Sequence, residues 1–137
     1  MLIDNVKVTT VAPVATGTTT ITGSALDMSG FDGALFIVRL GSPATNNNLR
    51  VQQCDTTGGS YADLASSKVG DHATNTPLIV DVYRPLEQFL KYQVTRGTTT
   101  TIDSVVIIQY KGKGARPFSQ PSGTASTQLY HPAEGTA

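Results

Sequence analysis

Residues 76–110, TPLIVDVYRPLEQFLKYQVTRGTTTTIDSVVIIQY, decide the reading of the chain. The segment divides into three strands, with turn chemistry at Arg84-Pro85 and at Arg96-Gly97-Thr98. In the first strand Leu78, Val80 and Val82 fall on one face and Ile79, Asp81 and Tyr83 on the other, the period of two of a half-buried strand. The second alternates more cleanly. Leu90, Tyr92 and Val94 oppose Lys91, Gln93 and Thr95, which predicts one dry and one wet face. The third does not alternate, because Val105, Val106, Ile107 and Ile108 are all apolar and β-branched. Such a strand needs cover on both sides: a second sheet on one, and an arm or another subunit on the other.

Working outward, residues 34–40 (ALFIVRL) are apolar on both faces until Arg39, which places them centrally in a sheet. Residues 49–54 resume alternation, Leu49 and Val51 against Arg50 and Gln52. A Gly-rich turn at 55–60 then leads to a short return strand over 61–65. Residues 66–75 read as an exposed polar loop. Residues 3–11 alternate weakly until Pro13, which belongs at an edge or in a crossing arm. A threonine tract leads into a short strand at Ile21-Thr22, and Ser29-Gly30 and Asp32-Gly33 mark turns. No stretch carries helical periodicity, and there is no internal repeat. About eight short strands between Gly, Pro, Asn and Ser turns predict an all-β, antiparallel β-sandwich over residues 1–110, closed as a jelly roll or another Greek key. Residues 111–137 lack a hydrophobic period and read as an extended C-terminal arm, with Pro117, Pro121 and Pro132 favouring extended backbone.

Composition narrows the function classes. A chain of 137 residues can bury roughly 70% of its unfolded surface, enough for a core without staples. A single cysteine rules out an intrachain disulfide framework. Ten basic residues balance ten acidic ones, so no overall field attracts nucleic acid or an anionic membrane. Charged residues are only 15%, and polarity comes from Thr, Ser, Asn, Gln and Gly instead, as in a surface partly covered in its working state. The N-terminus shows no basic segment followed by an apolar run, and no apolar stretch reaches the roughly 20 residues of a membrane helix.

Reaction chemistry is not spelled out. His72 and His131 stand in no metal-ligand spacing, Cys54 reads as a small buried thiol, and no GxSxG elbow is present. Gly112-Lys113 lacks the remainder of a phosphate loop. The aspartates are scattered, and no dense Asp/Asn loop spells a calcium site. The expectation is therefore a non-enzyme with no cofactor, no metal and no catalytic residue.

Three segments carry a resemblance: LDMSGFDGALF at 26–36, VDVYRP at 80–85, and VTRG at 94–97 together with Ile102-Asp103 and Ile108-Gln109-Tyr110. They resemble the head cement, or capsid decoration, proteins of tailed bacteriophages, of the jelly-roll kind found in a Bordetella podophage. The ending HPAEGTA at 131–137 is similar to that of many such chains. The resemblance spans most of residues 20–137. It implies a structural virion protein on the outer surface of the phage head, reaching it from the host cytoplasm during assembly. It also implies a homodimer that bridges subunits of the major capsid protein, with no nucleic-acid or membrane partner.

Candidate contact residues follow from exposed chemistry. In the arm, Phe118, Leu129 and Tyr130 are apolar anchors, each worth roughly 1.5 to 3 kcal/mol on burial, and Lys111, Lys113 and Arg116 are polar orienters. Tyr83 and Arg84, on an outer face before Pro85, are a second candidate for self-association; the bland alternative is a turn that merely caps a strand. The rival function is a jelly-roll carbohydrate-binding module on the phage surface, against which stands the absence of tryptophan. A hydrolase is a third class, and it needs a triad not visible here.

Overall fold

The structure, a computed structural model, describes residues 1–41, 46–70, 77–97, 99–112 and 120–122. Among the described residues a 3₁₀ turn, Leu2–Asn5, precedes eleven strands. In chain order these are β1 (Val6–Val11), β2 (Val14–Gly17), β3 (Ile21–Thr22), β4 (Leu26–Asp27), β5 (Gly33–Leu40) and β6 (Asn48–Cys54). They continue with β7 (Ala62–Asp63), β8 (Val69–Gly70), β9 (Leu78–Tyr83), β10 (Phe89–Thr95) and β11 (Thr100–Tyr110).

Two antiparallel sheets pack face to face. The first runs β1-β11-β5-β9, with β2 continuing the edge beside β11. The second runs β3-β10-β6-β7, with β4 and β8 extending its outer strands. If β1 with β2, β3 with β4, and β7 with β8 each count as one interrupted strand, the eight principal strands are ordered 1-8-3-6 and 2-7-4-5, which is a jelly roll. Every described pairing is antiparallel.

The alternation in the sequence becomes the core. Phe36 and Val38 from β5, Leu49 and Val51 from β6, Leu90 and Val94 from β10, and Ile102 from β11 are each fully buried between the sheets. Leu78, Val80 and Val82 complete it from β9. Phe36 meets Tyr92 across the layers with ring centroids 6.5 Å apart and tilted by 53°, an arrangement aromatic pairs favour. The expected central place of residues 34–40 holds, since β5 lies between β11 and β9. Pro13 separates β1 from β2 at the sheet edge, where the missing N–H costs no ladder bond.

Three local expectations need correction. Residues 2–5 form a 3₁₀ turn in place of strand, and pairing begins at Val6. The return strand at 61–65 shortens to β7, Ala62–Asp63. Within the polar stretch 66–75, Val69–Gly70 is strand β8 against β6. Just before it, the Ser67 hydroxyl donates to the Val51 carbonyl and accepts from the Val51 N–H, both at 3.1 Å. A side chain there replaces a ladder pair, so the segment follows β6 without the hydrophobic signature of a strand.

Candidate interaction surface

The two outer faces differ in chemistry. On the β3-β10-β6-β7 sheet, polar side chains interlock. Arg50 donates from Nε to Gln93 Oε1 at 2.6 Å and from Nη1 to Asp63 Oδ2 at 2.9 Å. Gln52 donates to Asp63 Oδ1 at 2.7 Å, Gln93 to Thr22 Oγ1 at 3.1 Å, and Lys91 Nζ sits 4.1 Å from the Tyr61 ring centroid. Arg50, Gln52, Asp63 and Gln93 thus bond to one another across this face.

The outer face of the other sheet is built of three transverse rows. They are Thr10–Val106–Ile37–Ile79, Val8–Ile108–Leu35–Asp81 and Val6–Tyr110–Gly33–Tyr83. Two of the rows are largely aliphatic, as the run at 105–108 required: Val105 and Ile107 enter the core, while Val106 and Ile108 face outward. Ile79 and Tyr83, each 49% exposed, mark the β9 side of this face, and Leu86, 92% exposed, follows the strand.

The third row ends in the most organised exposed cluster. Gly33 is buried, and a Cβ there would fall inside the Tyr110 ring, so the bare backbone is what lets the ring lie across β5. The Tyr110 hydroxyl then donates to Asp81 Oδ1 on β9 at 2.6 Å. Burial first, then this hydrogen bond and the Asp81 charge, with Tyr83 adding a smaller contribution, hold the phenol far above its ordinary range.

Asp32, immediately before β5, ties both neighbouring strand ends with its backbone. Its carbonyl accepts from Arg84 N at 2.7 Å, and its N–H donates to the Tyr110 carbonyl at 3.1 Å. Directly after their tyrosines, Arg84 and Lys111 both adopt left-handed backbone, each at φ 51°. Each reversal brings a cation to Tyr83, with Arg84 Cζ 5.2 Å and Lys111 Nζ 4.8 Å from the ring centroid. Left-handed backbone costs a non-glycine residue about 1–2 kcal/mol, and at functional sites such strain commonly holds a side chain in place.

Three of the expected contact residues, Tyr83, Arg84 and Lys111, thus meet at one place, Lys111 being the first residue of the expected arm. Lys113, Arg116, Phe118, Leu129 and Tyr130 lie outside the described residues, as do His72 and His131. Cys54 is buried and unbridged. Among the described residues no group of three or more His, Cys, Asp or Glu comes together, and no helix is long and apolar enough to cross a membrane.

Sequence reasoning missed one buried cation. Arg96, read as a turn residue, is 6% exposed, and its guanidinium donates to the carbonyls of Thr19 at 2.7 Å, Ala15 at 2.8 Å and Thr100 at 3.0 Å. It ties the β2–β3 connection to the start of β11. Its position before Gly97 gave no sign of this. No protein-family model matches the chain, and no curated protein matches it significantly.

Proposed function

We propose that the protein is a cement protein: a structural virion component, without catalytic activity, that binds the outside of an icosahedral phage capsid and stabilises it by bridging major capsid protein subunits as a homodimer. One observation carries this reading. The three segments that resemble head cement proteins are far apart in the chain, yet they meet at one exposed spot. The first supplies Asp32 and Gly33, the second Asp81, Tyr83 and Arg84, and the third Tyr110. Residues needed only for the core have no reason to converge there.

The chemistry suits a protein contact. Tyr and Arg are the side chains that most often dominate binding energy at interfaces, and the adjacent rows offer apolar surface to bury. A stable contact buries about 1,200 to 2,000 Å² in total, and a module gripping two capsid subunits gains further through effective concentration. Sugar stacking favours a free ring face, whereas Tyr83 already engages two cations, which makes the carbohydrate-binding module the weaker reading.

Purified protein added back to shells assembled without it, followed by sedimentation, tests the proposal. Saturable binding at a fixed ratio to the capsid protein, with raised resistance of the shells to denaturant, is the expected result. Protein left in the supernatant with both unexpanded and expanded shells would refute it, and a glycan array would then be the next experiment.

A further inference from the structure

The long edges of the β1-β11-β5-β9 sheet are treated differently. At β1 a side chain closes the edge: the Val8 N–H donates to Gln120 Oε1 at 2.9 Å, and Gln120 Nε2 donates to the Val6 carbonyl at 2.8 Å. At the opposite edge, β9 pairs with β5 alone among the described residues. It is six residues long with no proline or lysine, and Ile79 and Tyr83 stand half exposed. A bare edge of this kind templates the addition of another strand. The segment from Asp63 to Val69 leaves it open, because a groove of about 690 Å³ lies between that segment and β9 from Ile79 to Tyr83.

The backbone sets which residues an added strand would meet. The Arg84 N–H donates to the Asp32 carbonyl at 2.7 Å, one step beyond the Gly33–Tyr83 pair of the β5–β9 ladder. Hydrogen-bonded pairs alternate along an antiparallel ladder, so Leu78, Val80 and Val82 turn their backbone groups to β5. Ile79, Asp81 and Tyr83 turn theirs to the open edge. Their side chains share the outer face, where Asp81 is an exposed carboxylate and Tyr83 holds the cations Arg84 and Lys111 against its ring. A carboxylate and a cationic cluster two residues apart on one edge complement each other when the strand meets a copy of itself running the other way.

We infer that this edge pairs with β9 of a second copy, antiparallel about a two-fold axis at Val82. An axis perpendicular to the sheet keeps both outer faces on one side, so opposed residues come from the same face. An axis at Asp81 sets the two Asp81 carboxylates directly opposite each other, which is destabilising. An axis at Val80 sets Asp81 against the partner's Ile79 and gives the charge no counterpart. The axis at Val82 sets Asp81 against the partner's Tyr83, beside the two cations that ring holds, and the symmetry makes the match twice. It also joins the outward backbone groups of Asp81 and Tyr83 to those of the partner. The pairing gives the homodimer of the cement reading its interface; it rests on that reading only for the expectation of a dimer, and it needs no capsid to form.

Sedimentation equilibrium of the intact chain, without shells, tests it. A strand pair buries less than the roughly 1,200 Å² at which stable interfaces begin, so a reversible dimer that builds up between about 10 µM and about 1 mM is expected. Asp81→Asn keeps an acceptor for the Tyr110 hydroxyl and is expected to weaken the dimer between about twofold and about thirtyfold. Salt at about 0.5 M is expected to weaken it in the same direction. In a Cys54→Ser background, Val82→Cys sits on the axis, where the two Cα atoms approach to about 4.5 Å. Mild oxidation is expected to link that variant into a disulfide dimer and to leave Val80→Cys and Asp81→Cys monomeric. Circular dichroism checks that each variant is folded, and Asp81→Asn, an exposed change, carries the test if Val82→Cys is not. A monomer at every concentration, a dimer indifferent to Asp81→Asn, or one that tightens with it and links through Asp81→Cys overturns the assignment. A monomer that still attaches to shells removes the pairing and leaves the cement reading standing, whereas a dimer of the expected register that fails to attach does the reverse.

Discussion

The hydroxyl of Tyr110 reaches over an entire strand to Asp81, at 2.6 Å, because the residue between them in the transverse row is Gly33. Gly33→Ala is the sharpest test of that relationship, since no left-handed backbone is at stake there and the penalty is steric alone. The ring must move, and overpacking costs typically about 1–3 kcal/mol. Urea denaturation is expected to show a loss in this range, with Tyr110→Phe costing less. A neutral Gly33→Ala would mean that the row tolerates a side chain and the cluster is not held by it.

Arg96 supports the fold from inside. Replacing it with Met keeps the apolar stem and leaves the carbonyls of Ala15, Thr19 and Thr100 without their donor. Hydrogen bonds to charged groups contribute about 1.5–3 kcal/mol each, so a loss of about 3 kcal/mol or more is expected by chemical denaturation. Arg96→Lys is expected to recover only part of it, because one ammonium cannot match the spread of a guanidinium.

At high pH the tyrosines become the weak point. Burial raises the phenol of Tyr92, and burial followed by the Asp81 bond raises that of Tyr110, both above their ordinary value of 10.0. The folded state therefore keeps these protons where the unfolded chain releases them. Their contribution to stability is complete below pH 10.0 and is lost as pH rises through the folded values. Phenolate absorbance is expected to rise in two stages, the second coincident with unfolding. A single stage with all five tyrosines titrating together in folded protein would contradict this.

Most of the sandwich was legible because it rests on a period of two. The alternation in β9 and β10, and its absence in 105–108, reflect how many faces of each strand are dry. The hidden features depend on something other than hydropathy. Arg96 is buried by carbonyls from a distant turn, β8 follows β6 through the Ser67 hydroxyl, and Lys111 reaches Tyr83 through a change in φ that no composition encodes. Tyr83 and Arg84 were found from exposure at a strand end, whereas their link to Tyr110 through Asp32 is a product of sheet order, which pattern alone does not supply.

Strain at the cluster predicts opposite effects on folding and binding. Arg84→Gly removes the left-handed penalty at the expense of some chain entropy, a net gain of roughly 0.5–1 kcal/mol. It also removes a cation from Tyr83. Denaturation is expected to show a protein at least as stable as the original, while co-sedimentation with shells is expected to show weaker attachment. Tyr83→Ala is expected to change stability by about 0.5 kcal/mol or less and to weaken attachment further. Full attachment in both variants would move the contact elsewhere.

The unlike outer faces also bear on how such a molecule accumulates. One side is a lattice of charge and amide already bonded to itself through Arg50, Gln93 and Asp63, and the other is aliphatic with a tyrosine flanked by two cations at its corner. A copy that settles with its greasy side down presents only the satisfied side upward, and a newcomer gains nothing by landing on it. If the proposed cement function holds, coating is expected to end after a single layer, with thickness limited by the sandwich and not by supply.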